Sequence, residues 1–94
     1  MFIVPYEKGW TVYTKSNCVY CDRAKSLLEN QSAIYINCDE WLIDHKESFL
    51  NHMKSQIGNE YKLFPMIFYN GTFIGGYTES KEYIEKMVTF AEEF

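Results

Sequence analysis

Trp10-Thr11-Val12-Tyr13-Thr14-Lys15-Ser16-Asn17-Cys18-Val19-Tyr20-Cys21 is the stretch that decides the fold: a β-branched and aromatic run passes through three polar residues into two cysteines separated by two positions. Residues 10–14 read as a buried first strand. The apolar positions Cys21, Ala24, Leu27 and Leu28 then fall three or four apart, while Asp22, Arg23, Lys25 and Glu29 take the other side, so an amphipathic helix is predicted over Cys18–Asn30. Ser16 or Asn17 is the expected N-cap. A strand that runs at once into a helix carrying Cys-x-x-Cys is the context in which that spacing reads as redox chemistry.

Outward from this unit, Ala33-Ile34-Tyr35-Ile36-Asn37 is a second strand, and the intervening helix is long enough to return the chain for parallel pairing. Phe49, Leu50, Met53 and Ile57 mark a second helix between Asp44 and Ile57, stopped by Gly58-Asn59. Pro65–Tyr69 and Thr72–Ile74 flank Asn70-Gly71, whose tolerance of positive φ at both central positions of a type I′ turn signals a hairpin. After Gly75-Gly76, the positions Tyr83, Ile84, Met87, Val88, Ala91 and Phe94 repeat at helical spacing. The expected order is β-α-β-α-β-β-α, an α/β class, in a single domain of residues 1–94 whose residues 1–9 are a leader or an extra extended segment.

Composition narrows the function classes. The chain has 47% hydrophobic and 18% aromatic residues, enough for a core that needs neither metal nor disulfide, so the cysteines are free for chemistry. A net charge of −4 is the wrong sign for a nucleic-acid binder and hints at a basic docking surface on any protein partner. No apolar run reaches membrane-span length and residues 1–10 lack the features of a secretory signal, so no membrane partner is expected and the cytoplasm, where thiols stay reduced, is the expected compartment. One Cys-x-x-Cys pair with a lone Cys38, His45 and His52 does not supply the two ligand pairs of a structural zinc site, so no metal is expected. His45 and His52 are read as surface residues, and Cys38, just past the second strand, as a core-edge residue with no helix start to activate it.

At a helix start, Cys18 meets unpaired amide donors and the positive end of the macrodipole, which favour thiolate, and Cys21 comes round within disulfide reach. Lowering a cysteine pKa by roughly three units takes about 4 kcal/mol, and a helix terminus supplies at most about 2 kcal/mol. The balance falls to hydrogen bonds on sulfur and a nearby cation, for which Lys15 is the candidate.

The set Lys15–Cys21, then Leu63-Phe64-Pro65, then Gly75-Gly76-Tyr77-Thr78-Glu79, in this order, resembles the glutaredoxin family in its dithiol form over about residues 10–92, and its Cys-Val-Tyr-Cys-Asp run is similar to that of bacteriophage members. The resemblance implies the small thioredoxin fold with a four-stranded mixed sheet ordered 4-3-1-2. It implies a glutathione-disulfide oxidoreductase in which Cys18 is the nucleophile, Cys21 the resolving thiol, Cys18-Cys21 the redox disulfide and Pro65 a cis-proline. Glutathione, the co-substrate, would lie along Tyr20, Phe64, Gly76 and Tyr77, with Lys15, Gln56 and Lys62 at its glycine end and Thr78 and Glu79 at its γ-glutamyl end. The implied partners are disulfide or glutathionylated proteins, ribonucleotide reductase among them, met by a monomer.

Val19 stands where the family most often has proline, and Leu63-Phe64 replaces Thr-Val, which is expected to narrow access to the site. Two rivals remain. One is a thioredoxin-like donor recharged by a reductase, against which stand Asn17 before the motif and Val19-Tyr20 inside it. The other is an iron-sulfur carrier bridging two chains.

Overall fold

The computed structural model describes residues 2–92, with side chains over 2–88. Its order is β1 (Trp10–Thr14), α1 (Val19–Leu27), β2 (Ala33–Asn37), α2 (Asp39–Asp44), α3 (Lys46–Ile57), β3 (Met66–Tyr69), β4 (Thr72–Gly75) and α4 (Tyr77–Glu92). The strands lie β2-β1-β3-β4, which is the expected 4-3-1-2 arrangement viewed from its other edge. β1 pairs parallel to β2 and antiparallel to β3, and β3 pairs antiparallel to β4. At the β3–β4 turn Asn70 and Gly71 have φ of 50° and 81°, the positive values that Asn-Gly tolerates.

Strand alternation divides the core between the two faces of the sheet. Trp10 and Val12 of β1 and Ile67 of β3 point one way, onto Ala24 and Leu28 at α1 and Ile84 of α4. Tyr13, Met66 and Phe68 point the other way, onto Phe49 and Met53 of α3. Burying a side chain of this size contributes roughly 1.5–3 kcal/mol, so the paired central strands, with helices over both faces, form the rigid floor of the molecule.

Three local features refine these expectations. The expected order has one helix between β2 and β3, but a second, six-residue helix, α2, occupies Asp39–Asp44 ahead of α3 and breaks at His45. It is too short to show a helical period in sequence, and its apolar Trp41 and Leu42 pack on the α3-side core. The leader is packed, with Phe2 5.3 Å from Trp41 and 5.5 Å from Phe49, the Tyr13 hydroxyl donating to the Ile3 carbonyl, and the Tyr6 N–H donating to Thr11 Oγ1 at 3.0 Å. Along α4, Tyr83 and Ile84 pack on the sheet, whereas Met87 and Val88 are 41% and 51% exposed. The Ala91 side chain and Phe94 lie outside the described residues.

Candidate active site

β1 ends at Thr14, and the chain turns through Lys15-Ser16-Asn17 to reach α1. Neither Ser16 nor Asn17 caps the helix. Asn17 is in the left-handed region with φ 55°, while Ser16 donates its N–H to Asp39 Oδ1 at 2.9 Å and its hydroxyl to Asp39 Oδ2. Cys18 is the N-cap instead: its backbone is extended (φ −125°, ψ 103°) and its Sγ accepts the Cys21 N–H at 3.2 Å. The sulfur takes the place of the usual capping oxygen, so one of the first-turn amides is aimed at the atom whose negative charge it would stabilise. The Ser16 bonds hold the Asp39 carboxyl below its ordinary pKa.

Cys18 and Cys21 are joined as a disulfide, with Cα atoms 5.2 Å apart. The two sulfurs differ in access: Cys21 is 1% exposed, whereas Cys18 is half-buried at the surface. Facing them is Phe64-Pro65, whose peptide bond is cis as the resemblance implies. The Phe64 carbonyl oxygen lies 3.7 Å from Cys18 Sγ. The β1–β3 ladder begins only at the Tyr13–Met66 pair, and among the described residues the Phe64 N–H has no partner. The Phe64 N–H thus stands unpaired among the described residues, next to a carbonyl that faces the sulfur.

The Phe64 ring packs toward α3. It stacks with Phe49 (14° between planes, centroids 6.5 Å apart), with the Lys15 ammonium 5.7 Å from its centroid. It thereby lines a groove of about 320 Å³ shared with Lys15, Leu42, Lys46, Leu50 and Lys62. Lys15, Lys62 and Phe64 thus meet in one groove. Lys46 joins them unforeseen, because nothing in the sequence tells which face the start of α3 turns toward β1. Gln56 is exposed on the last turn of α3 and does not line this groove. All three charged groups lining the groove are cations, so the chain's net −4 is a poor guide to the local charge here.

On the other side, Gly75 adopts φ 137°, and a Cβ there would come within 2.8 Å of Glu79. Glu79 Oε1 accepts the Gly76 N–H at 2.8 Å, the reach-back bond of a capped helix start. That oxygen is engaged within the chain, leaving exposed Thr78 beside it at the first turn of α4. The Tyr77 ring lies 5.9 Å from that of Tyr20, which is 52% exposed and has the Arg23 guanidinium 5.0 Å from its centroid. Phe64 thus faces Cys18 directly, Tyr77 meets Tyr20 of the cysteine-bearing helix, and Gly76 approaches the Pro65 carbonyl, a Cβ there lying 3.7 Å from its oxygen.

Away from this site, Cys38 is fully buried and its thiol is pushed up to about 12, chiefly by burial. His45 is exposed, whereas His52 packs against Phe2 with ring centroids 5.3 Å apart, and burial lowers its pKa. Among the described residues no three His, Cys, Asp or Glu side chains converge as a metal site, and no helix is long and apolar enough to cross a membrane.

Comparison with known proteins bears on this arrangement directly. A glutaredoxin family model matches residues 10–74. The chain is 32% identical over 69 residues to human mitochondrial glutaredoxin-2, covering 73% of this chain and 41% of that one. It is 30% identical over 67 residues to glutaredoxin 1 of Rickettsia felis, covering 69% and 61%. It spans about two fifths of the length of the mammalian relatives it matches. The crystal structure of glutaredoxin 1 from Francisella tularensis, complexed with cacodylate, superposes with a TM-score of 0.72 at 26% identity, covering 85% of this chain and 95% of that one.

Proposed function

The chain belongs to the glutaredoxin family, and from that premise we propose that it is a glutathione-dependent thiol-disulfide oxidoreductase working through Cys18 and Cys21. The observation that carries the reading is the inequality of the two sulfurs: Cys18 is accessible, sits at the N-cap and accepts an amide hydrogen bond, while Cys21 is buried beneath it. The first is built to attack and the second to resolve.

In the reduced protein, the Cys18 thiolate attacks one sulfur of a substrate disulfide. A Cys18–substrate bond forms as the other sulfur leaves as a thiolate. If the substrate is a glutathione mixed disulfide, Cys18 retains the glutathionyl group; a second glutathione thiolate then attacks it, forming glutathione disulfide and freeing Cys18. If the substrate is a protein disulfide, such as that of ribonucleotide reductase, the Cys21 thiolate attacks Cys18 Sγ. The second substrate thiolate leaves, and the two electrons the substrate gained have come from the Cys18/Cys21 pair. Two glutathione molecules return the pair to dithiol.

Glutathione would add as a short strand against the unpaired Phe64 backbone, its glycyl carboxylate toward Lys15 and Lys62 and its γ-glutamyl end toward Thr78 and the α4 start, with Tyr20 and Tyr77 along its length. Glu79 contributes by fixing Gly76. A reducing compartment such as the cytosol suits a site that must be returned to dithiol.

The test is turnover with glutathione, glutathione reductase and a small glutathione mixed disulfide. Wild type is expected to turn over, Cys18→Ser to lose at least about a thousandfold because a hydroxyl is no substitute for thiolate, and Cys21→Ser to keep this activity while losing reduction of protein disulfides. Equal loss in both variants would overturn the division of roles; no turnover with glutathione would favour a reductase-driven donor.

A further inference from the structure

Two grooves meet at Lys62 and Leu50, and they differ in charge. The one farther from Cys18, about 240 Å³, mixes Glu47 and Glu60 with Lys54 and Lys62, so its charges offset one another. The one beside Phe64 contains Lys15, Lys46 and Lys62 with no acid at all. None of these three makes an ion pair among the described residues. Asp39 is near enough to Lys15 to feel its charge, but both its oxygens accept from Ser16 and it does not line the groove. In the reading above, the glycyl carboxylate of glutathione brings one negative charge to this place, which leaves Lys46 over.

We propose that this groove selects, among peptide and protein disulfides, those with an acidic residue shortly after the attacked cysteine, and that Lys46 is the residue that adds this preference. The inference rests on the proposed orientation, in which the chain following the substrate cysteine runs toward Lys15 and Lys62 as the glycine of glutathione does. The preference is local. A molecule of net charge −4 repels acidic peptides at long range, so faster reaction with them has to arise from cations placed at the site.

The experiment follows the fully reduced protein, under single turnover, with symmetric disulfides of the peptide acetyl-Ala-Cys-Xaa, its C-terminal carboxylate free as in glutathione, in which Xaa is Glu, Gln or Lys. Each reaction consumes one peptide disulfide, releases two peptide thiols and leaves Cys18-Cys21 oxidised; thiol release gives the second-order rate constant. One exposed ion pair is worth up to about fivefold, so at low salt the Glu peptide is expected to react about tenfold faster than the Lys peptide, once attraction and repulsion are combined. The ratio should shrink toward one in about 1 M salt, where the Debye length is about 3 Å. Lys46→Arg should retain the preference, and Lys46→Glu should abolish or invert it within one protein preparation. A peptide with its Glu before the cysteine should gain nothing.

Equal rates for Glu and Lys peptides in wild type, a ratio untouched by Lys46→Glu, or equal gain from Glu on either side of the cysteine would each overturn this inference while leaving the redox reading intact, because the peptides are still reduced. Failure to reduce any of the three would overturn both.

Discussion

Cys18 and Cys38 occupy matching places in the fold and have opposite chemistry. Each follows one of the two parallel strands, β1 and β2, and each is the residue from which a helix starts. Cys18 has an extended backbone and its sulfur accepts one first-turn amide, that of Cys21, in a nine-residue helix. Cys38 has φ −104° and ψ 9°, makes no side-chain cap, and turns its thiol back to donate to the Ile36 carbonyl at 3.5 Å. It lies in the core beneath Phe49 and Met53, and burial pushes its pKa up to about 12. A helix start does therefore follow Cys38, against the sequence expectation, yet it does not activate the thiol. Position in a β-α unit brings a cysteine to a helix terminus; the direction of the sulfur and its access to water decide whether it can react.

Alkylation should break this pairing most sharply. In the reduced, folded protein at neutral pH, iodoacetamide is expected to modify Cys18 at least about a thousandfold faster than Cys38, since a thiol near 12 is only about 0.001% thiolate at pH 7. Mass mapping of partly modified protein gives the ratio; comparable labelling of Cys38 would remove the contrast.

A middle-sized effect concerns the buried member. Cys38→Ala should leave glutathione-coupled turnover unchanged and cost about 1 kcal/mol of stability through the lost sulfur, a Tm drop of about 4–8 °C for a domain of this size. Because the folded-state pKa of Cys38 is raised above its ordinary 9.0, the folded protein holds a proton that the unfolded chain releases. The associated stability is fully present below pH 9 and is lost as pH rises toward about 12. Denaturant titrations over that window should show a shallower fall for Cys38→Ala than for wild type, with the remaining fall shared by Tyr13, whose pKa burial also raises.

The smallest effect is expected at Asp39, which ties the two helix starts together: it follows Cys38 and binds both donors of Ser16, two residues before Cys18. Asp39→Asn should lower Tm by a few degrees at most at pH 7. The Ser16 bonds hold its pKa below 3.8, so their contribution is present above that value and is lost as pH falls through the lower folded one. The Tm difference between wild type and variant should therefore vanish in strong acid.

Much of this was legible in the sequence because it is written at short range. The buried run Trp10–Thr14, the apolar spacing of Cys21, Ala24 and Leu28, the Asn70-Gly71 turn and the cysteine pair each depend on a few neighbouring residues. The six-residue α2 was not legible, since a helix of that length shows no period and is held by packing of Trp41 and Leu42 rather than by propensity. Nor was the N-cap: Ser16 and Asn17 both have the right chemistry, and only the reach of Asp39 across from the next β-α connection draws Ser16 away.

The sequence by itself determined the order of the four strands and the three longer helices and placed a cysteine pair at the head of the first helix, because periodicity and turn chemistry act between residues close along the chain. Tertiary structure alone decided how deeply each of the three sulfurs is buried and which distant lysines stand around Phe64. Those outcomes depend on how α2 and α3 settle over one face of the sheet, and packing between distant segments leaves no local trace in the order of amino acids.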